Sequence, residues 1–591
     1  MGKELYVNIP SKVGDLLNDV KNGKIGLPDL QRPFVWKDNK VRELLDSMMK
    51  GYPIGYIMLW SSPEDYENTG HIGKNDKIYT QPDDLVIDGQ QRLTALLAAM
   101  YGVAVRDKNY KERNIKIAFN PMTREFQVWS KTYDTPEWIK DISTAFQADD
   151  NHETFMYIRK MVVELNEYRQ KNEKEPITLE EEALINENIK DLLDLKLYFL
   201  PTLRISSKAG EEDVSDIFVR VNSGGQKLTE KNFIETLLAV YDNEVHEKIN
   251  KFCEESRIPK DGTSYNQILE VDPSHLIRMA VGVGFRRARL RYAYMLLRGK
   301  NLKTGEITQE TRDENLEIFK NSLDIVTNLN NWHAFMNLMG TAGYLKGSIV
   351  ASSNAVVFCY VLYLIGKYDY KVASVELQKT IRKWIFMSTI TVFYSGSTES
   401  EVEKQFADLR DVKTADEFVT YLDGVINTIF TDDYFRLTLP SELNSSSATS
   451  PAWYGYIASI NVLGYHMLFS TAPLSKYFIL GTSGGKNAID KHHIFPKHYL
   501  ETIGFDNDRD RNQIANFAYL DYATNIDISD APPAEYVGRY KEKLGEEGYK
   551  LACEQNALPK NFENLEYTEF IAQRRMLMSK IIKKAYDELC K

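Results

Sequence analysis

Cysteine is scarce in this chain: Cys253, Cys359, Cys553 and Cys590 are the only four in 591 residues, and no two form a Cys-x-x-Cys pair. So sparse a set argues against a disulfide framework and against a cysteine-built zinc site, and it suits a reducing compartment. Long apolar runs are also lacking. The best stretch, Ala355 to Ile365, is too short to cross a bilayer. The opening residues "MGKELYVNIPSKV" hold no signal-peptide core, and Tyr6 stands where a myristoylation site wants Ser or Thr. A cytoplasmic protein with no membrane segment is expected. Nor is there a basic excess, since the formal net charge is −11. That does not exclude a local cationic patch able to meet phosphates. "FRRARLRYAYMLLRGK", from Phe285, carries five arginines, and "AQRRMLMSKIIKKAY" near the C-terminus carries five basic residues. Solvated or salt-bridged helix faces explain both equally well.

What is present is ordinary for a globular chain, with 43% apolar and 27% charged residues. The length asks for two to four domains. After the irregular "LPDLQRPFVW", Val41, Leu44, Leu45 and Met48 recur at helical spacing, with Asp38 placed to cap the helix and Gly51 to end it. "IGYIMLW" and "DDLVIDG" read as strands, Leu93, Leu96, Leu97 and Met100 give the next helix one apolar face, and "NIKIAFN" with "EFQVWS" reads as a hairpin. From about 150 the pattern turns helical, with two exposed helices around Pro176. An extended piece at 195–205 is a candidate extra strand for the first sheet. Residues 240–440 read as helix after helix, and "LNSSSATSP", 443–451, has linker composition. The expectation is a multidomain α+β protein divided into 1–240, 241–442 and 452–591, with no internal repeat.

In "VIDGQQRLTAL" a strand ends at Asp88-Gly89 and opens directly into a helix. The free N–H groups of such a helix start favour anions, phosphates in particular. Arg92 adds a forked cation, Gln90 and Gln91 add uncharged donors and acceptors, and Asp88 can orient these groups or hold a metal. A capping turn with a salt-bridged arginine explains the same residues. Two further segments share the chemistry: "LQRPFVW" with Gln31 and Arg32, and "FVRVNSGGQKL" with Arg220 and Asn222 ahead of a Ser-Gly-Gly turn. Converging, the three would suit a triphosphate better than a neutral metabolite. No Walker loop occurs among them.

In this order and spacing the three segments resemble the N-terminal domain of GmrSD-type proteins, and "YSGSTESEVEKQF", 394–406, resembles a segment of their helical part. The resemblance implies a ParB/sulfiredoxin-like α/β core whose DGQQR signature binds and hydrolyses nucleoside triphosphates. Asp88, Gly89, Gln90, Gln91 and Arg92 would be its nucleotide-handling residues, with Gln31, Arg32, Arg220 and Asn222 as pocket companions.

Three of the nine histidines, His492, His493 and His498, fall within seven residues. "HHIFP … NFAYL … N" matches the HNH pattern of ββα-metal nucleases. On that pattern His492 is a metal ligand, His493 is the base that deprotonates water, Asn516 orients His493, and Asn525 is the second metal ligand. A hydrated Mg²⁺ or Mn²⁺ held by few protein ligands can bind a scissile phosphate, and histidine titrates near neutral pH as such a base should. Adjacent histidines on a regular strand face opposite ways, so both reach one phosphate only if the strand bends. Asp490 and His498 are ligands or supports of second rank. A zinc site of His492, His493 and His498 is an alternative that lacks cysteine partners. The segment, with "ISDAPPAEYV" after the last Asn, also resembles the HNH-like C-terminal domain of GmrSD-type proteins.

Taken together, the resemblance implies a BrxU-like single-chain fusion. Its expected activity is type IV restriction: nucleotide-dependent cleavage of double-stranded phage DNA carrying hydroxymethylated or glucosylated cytosine. A homodimer is the default expectation for such a chain. Two alternatives stand beside it. One is a nickase that senses phosphorothioate linkages; the other is a non-catalytic nucleotide-binding regulator with a degenerate HNH domain.

Overall fold

The computed structural model describes residues 5–26, 34–61, 82–107, 111–148, 150–209, 243–297, 299–302, 304–394, 398–478 and 489–591, with isolated positions between 213 and 221. The chain forms two compact units, Met1–Asn250 and Lys251–Lys591.

The first unit is built on a five-stranded sheet. Its members are β1 (Tyr6–Lys12), β2 (Ile25–Gly26), β3 (Ile57–Ser61), β4 (Asp84–Asp88) and, after the side ladders β5 (Val105–Arg106) with β6 (Glu112–Arg113) and β7 (Ile117–Asn120) with β8 (Glu125–Val128), the late strand β9 (Phe199–Ile205). The order is β1-β9-β3-β4-β2. The extended piece near 200 therefore joins the first sheet, running antiparallel to β1 and parallel to β3. From Ile57 to Trp60 β3 is apolar and buried because both faces of the sheet are covered there. Ile57 and Leu59 point into the main core, whereas Met58 and Trp60 join Ile87 and Ile205 on the other side.

Around this sheet lie α1 (Val13–Lys21), α2 (Asp38–Met49), α3 (Gln90–Tyr101), α4 (Asn151–Lys171) and α5 (Leu179–Leu193). α2 buries Val41, Leu44, Leu45 and Met48 and ends before Gly51 at φ +69°. Asp38 does not cap it: the cap position is Lys37, and the Asp38 carboxylate accepts from Arg113 at 2.7 Å instead. α3 is buried from Leu93 to Met100, around its whole circumference rather than on one face. Alanines at 95, 98 and 99 let the neighbouring elements close on every side.

α6 (Asn243–Glu255) holds the boundary between the units. The second unit continues with α7 (Pro273–Phe285), α8 (Leu290–Leu297), α9 (Gln309–Thr327), α10 (Leu329–Thr341), α11 (Ser353–Tyr368) and α12 (Ser374–Ile390). The longest apolar run of the sequence is α11, buried from Ala355 to Gly366 as the centre of a helical core. Among the described residues no helix is long and apolar enough to cross a membrane. α13 (Thr398–Asp408), α14 (Ala415–Ile429), α15 (Leu439–Glu442) and α16 (Pro451–Val462) follow. Then come the antiparallel strands β10 (Ile489–His493) and β11 (Phe517–Asp521), separated by α17 (Lys497–Thr502) and α18 (Asp508–Arg511). α19 (Tyr522–Ile528), α20 (Pro533–Gln555) and α21 (Tyr567–Leu589) complete the chain.

The serine-rich stretch 443–451 is not a boundary between separate bodies. Leu443 and Ser450 are buried, and the Ile514 N–H donates to the Ser445 carbonyl at 2.8 Å. Beyond it, Asn461 of α16 donates to the Gly343 carbonyl at 2.9 Å. On α21, Ser579 donates to the Phe435 carbonyl and the Tyr586 ring lies 5.0 Å from Phe430. The expected helical middle and the expected nuclease domain thus share one core. Serine composition suggested a linker because it marks irregular backbone; here that backbone is a packed turn.

Part of the arginine-rich stretch is committed to the fold: Arg287 pairs with Glu403 of α13 at 3.2 Å, Arg289 donates to Ser400 at 3.1 Å and Arg286 pairs with Asp369, while Arg278 just before it pairs with Glu399 at 2.5 Å. In α21, Arg574 is fully buried, donating to the carbonyls of Ala515 at 2.6 Å and Asn556 at 3.2 Å.

Candidate functional site

The DGQQR turn is held by its own residues. Gly89 has φ +93°, and a Cβ there would run into Ile57, so the close approach of this turn to β3 needs glycine. The Asp88 carboxylate accepts the Gly89 N–H at 2.8 Å. Gln90 turns inward: it is buried and donates to the Val86 carbonyl at 2.8 Å. Gln91 accepts the Val35 N–H at 3.2 Å, which ties the Phe34–Trp36 end of the "LQRPFVW" segment to the start of α3. The Arg92 guanidinium donates to the Tyr56 carbonyl and lies against Gly55, where a Cβ would meet Nη2 at 2.8 Å. Burial pushes this guanidinium below the ordinary arginine range, and nearby Asp88 opposes the shift.

Of the expected nucleotide residues, Asp88, Gly89, Gln91 and Arg92 thus surround one turn. The Gln90 side chain belongs to the sheet packing rather than to an open pocket. Gln31, Arg32, Arg220 and Asn222 lie outside the described residues.

In the second unit, β10 and β11 pair with His492 opposite Ala518 and His493 opposite Phe517, and α19 follows β11 directly. Successive side chains of β10 face opposite ways. His492, buried, reaches α19, where its Nδ1 lies 2.7 Å from Asn525 Oδ1. His493 is the last residue of the strand and faces the other side. Its ring packs edge-on against Phe517, with centroids 4.8 Å apart, and its Nε2 lies 3.0 Å from Asn512 Oδ1. With the amide oxygen toward the ring, Nε2 carries the proton and Nδ1 is the basic nitrogen. Burial lowers the His493 imidazole to about 4; Asn512 opposes this, while Lys497, His492 and Lys491 add to it. A neutral imidazole results, the state in which it can accept a proton.

Asn516 does not touch His493 as expected. Its side chain is wholly buried, accepting the Phe495 N–H at 2.8 Å and donating to the carbonyls of Phe495 at 2.9 Å and Arg511 at 3.3 Å. The backbone just beyond His493 bends into the interior, where its polar groups need partners, and the Asn516 amide supplies both kinds. It therefore fixes the turn that follows His493, while Asn512 contacts the His493 ring itself. Sequence reading missed Asn512 because it lies outside the spaced motif; its one signal was a second amide in the same loop. Arg574, read as one of a basic cluster, was missed too: it grips the carbonyl of Ala515, next to Asn516.

The histidine triplet does not form a closed zinc site. His498 lies on α17 with its side chain mostly exposed, 3.6 Å from Glu501. Among the described residues no group of three or more His, Cys, Asp or Glu is arranged to hold a metal. His492 Nδ1 and Asn525 Oδ1 do meet, but as a hydrogen bond: with the amide oxygen toward the ring, Nδ1 carries the proton, so the pair could hold an ion only by giving up that bond.

Residues 13–239 match the family described as the GmrSD restriction endonuclease, N-terminal domain. This match spans the DGQQR turn and agrees with the resemblance read from the three motif segments. The chain is also 23% identical to an uncharacterized protein of Methanocaldococcus jannaschii, covering 98% of this chain and 93% of that protein. That likeness runs through both units, so it reaches the β10–β11–α19 site as well as the turn.

Proposed function

We propose that the chain is a nucleotide-dependent type IV restriction endonuclease of the fused, BrxU-like kind, with an HNH-type nuclease site in its second unit. The observation that carries this reading is the meeting of His492 Nδ1 and Asn525 Oδ1 at 2.7 Å, from a strand and the helix after its partner; a neutral His493 follows on the opposite face at the very end of the strand, so one phosphate would have to lie across that end to meet both. His492 and Asn525 would hold Mg²⁺ or Mn²⁺. When bound, the ion supplies charge stabilisation to a phosphodiester and its leaving oxygen. His493 accepts the proton of the attacking water at Nδ1, Asn512 holds its ring, and Asn516 holds the turn behind it.

In the first unit the glycine-opened start of α3 and the Arg92 guanidinium suit the phosphates of a nucleoside triphosphate, and the similarity over 13–239 supports a role in restriction. Nucleotide binding or hydrolysis there gates the presentation of the nuclease site to DNA, sparing host DNA. Such gating requires two states that differ in nucleotide affinity. The substrate on this reading is double-stranded phage DNA with hydroxymethylated or glucosylated cytosine.

The test incubates the full chain with base-modified, phosphorothioated and unmodified DNA, adding divalent metal and each nucleoside triphosphate in turn. Cleavage is expected only with base-modified DNA and nucleotide, and His493→Ala should abolish it while nucleotide binding persists. A response to phosphorothioated DNA alone would transfer the assignment to the nickase. If His493→Ala protects cells from phage as well as the unaltered protein does, the catalytic assignment fails and a regulator remains.

A further inference from the structure

β10 places Lys491 and His493 two residues apart on a strand, so both lie on the same face of the β10–β11 pair, opposite Tyr519 and Phe517. One aromatic ring organises them. The Lys491 ammonium sits over Phe517, 4.3 Å from its centroid, and the His493 ring packs edge-on against that same ring at 4.8 Å. Lys491 is exposed, and among the described residues no carboxylate forms an ion pair with it. Its neighbourhood differs in this from Arg278, Arg286 and Arg287, whose charges are spent on Glu399, Asp369 and Glu403. An ammonium held by a cation–π contact, next to a base and still open to solvent, is placed to meet an anion.

We propose that Lys491 is a phosphate-contacting residue of the nuclease site, which seats the DNA backbone on the His493 face of the strand pair. This rests on the nuclease reading above and adds to it a substrate contact outside the HNH pattern. Phe517 fixes where the ammonium stands, and the phosphate it meets neighbours the one being cleaved. The contact is to the backbone, so it carries no information about base modification.

Counterion release tests this separately from catalysis. In a His493→Ala background, which prevents cleavage, the affinity of the full chain for a fluorescent hydroxymethylcytosine duplex is measured across a salt series. Lys491→Gln should lower the slope of log affinity against log salt by about 0.9, the loss of one phosphate contact. Lys491→Arg should restore the slope, and an unchanged melting temperature of each variant shows that the fold is intact. An unchanged slope in Lys491→Gln overturns the proposal while leaving the nuclease reading standing. No salt-dependent DNA binding by the Lys491-containing protein would instead sink the nuclease reading, and this proposal with it.

Discussion

His493 and its surroundings show how a few side chains set the protonation state of an imidazole at a strand end. The imidazole is deprived of water by burial, flanked by Lys491 and Lys497, and fixed at Nε2 by Asn512. Each influence disfavours its protonated form except the amide, which fixes the tautomer. Asn512 is therefore a positioning residue. Asn512→Ala should lower the DNA-cleavage rate constant roughly ten- to hundredfold, the usual cost of losing the partner of a functional histidine. KM should be little changed, and Asn512→Gln should rescue some of the loss. Steady-state cleavage assays separate this from a structural role, which would appear in the melting temperature. At this scale the sequence was partly legible. Of the residues in the pattern, His492 and Asn525 do meet, whereas Asn516 touches Phe495 and Arg511 rather than His493. Motif spacing says which residues recur near a site, whereas the geometry of a buried turn decides which amide faces the ring.

At the scale of elements, α4 and α5 form the expected helix pair around Pro176, but each buries one face in the core of the first unit, through Ile158, Met161, Val162 and Leu165 and through Ile185, Ile189 and Leu192. Glu181 is central to it: it closes a capping box with Thr178 and receives both guanidinium nitrogens of Arg169 at 2.8 and 2.9 Å. The Arg169 hydrogen bonds and the Thr178 backbone bond hold its carboxyl below the ordinary glutamate value of 4.5. A lowered folded-state value means the stabilisation is complete above the unfolded glutamate range and is lost as pH falls through the folded value. Hydrogen exchange of the α4–α5 amides should therefore speed up on acidification below about pH 4, and Glu181→Gln should remove that acid-dependent change. An identical pH response in the variant would show that other carboxylates set it. Arg278 and Arg287 teach the converse lesson. Both were plain in the sequence, but the glutamates they pair with come from α13, more than a hundred residues later.

At the scale of the whole molecule, the second unit is a single body from Lys251 to Lys591. α21 carries the fully buried Arg574 beneath the Asn516 turn and, on later residues, contacts Phe430 and Phe435 from before the serine-rich stretch. A fragment of residues 452–591 would expose those contacts. It is expected to lack a cooperative thermal transition, whereas residues 251–591 should unfold as one; calorimetry of both fragments checks this, and a stable 452–591 fragment would contradict the shared core.

Local chemistry, readable along the chain, indicated which segments form strands and helices in the first unit and that a glycine turn opens α3. These depend on side-chain pattern and backbone sterics over a few residues. Tertiary structure alone decided that β9 lies inside the first sheet, that Arg286 and Arg287 meet carboxylates, that Asn512 rather than Asn516 contacts His493, and that residues 443–451 join rather than divide. Each of these rests on contacts between residues distant in sequence or hidden within one buried turn. There burial and the pairing of polar groups choose among partners that composition cannot rank.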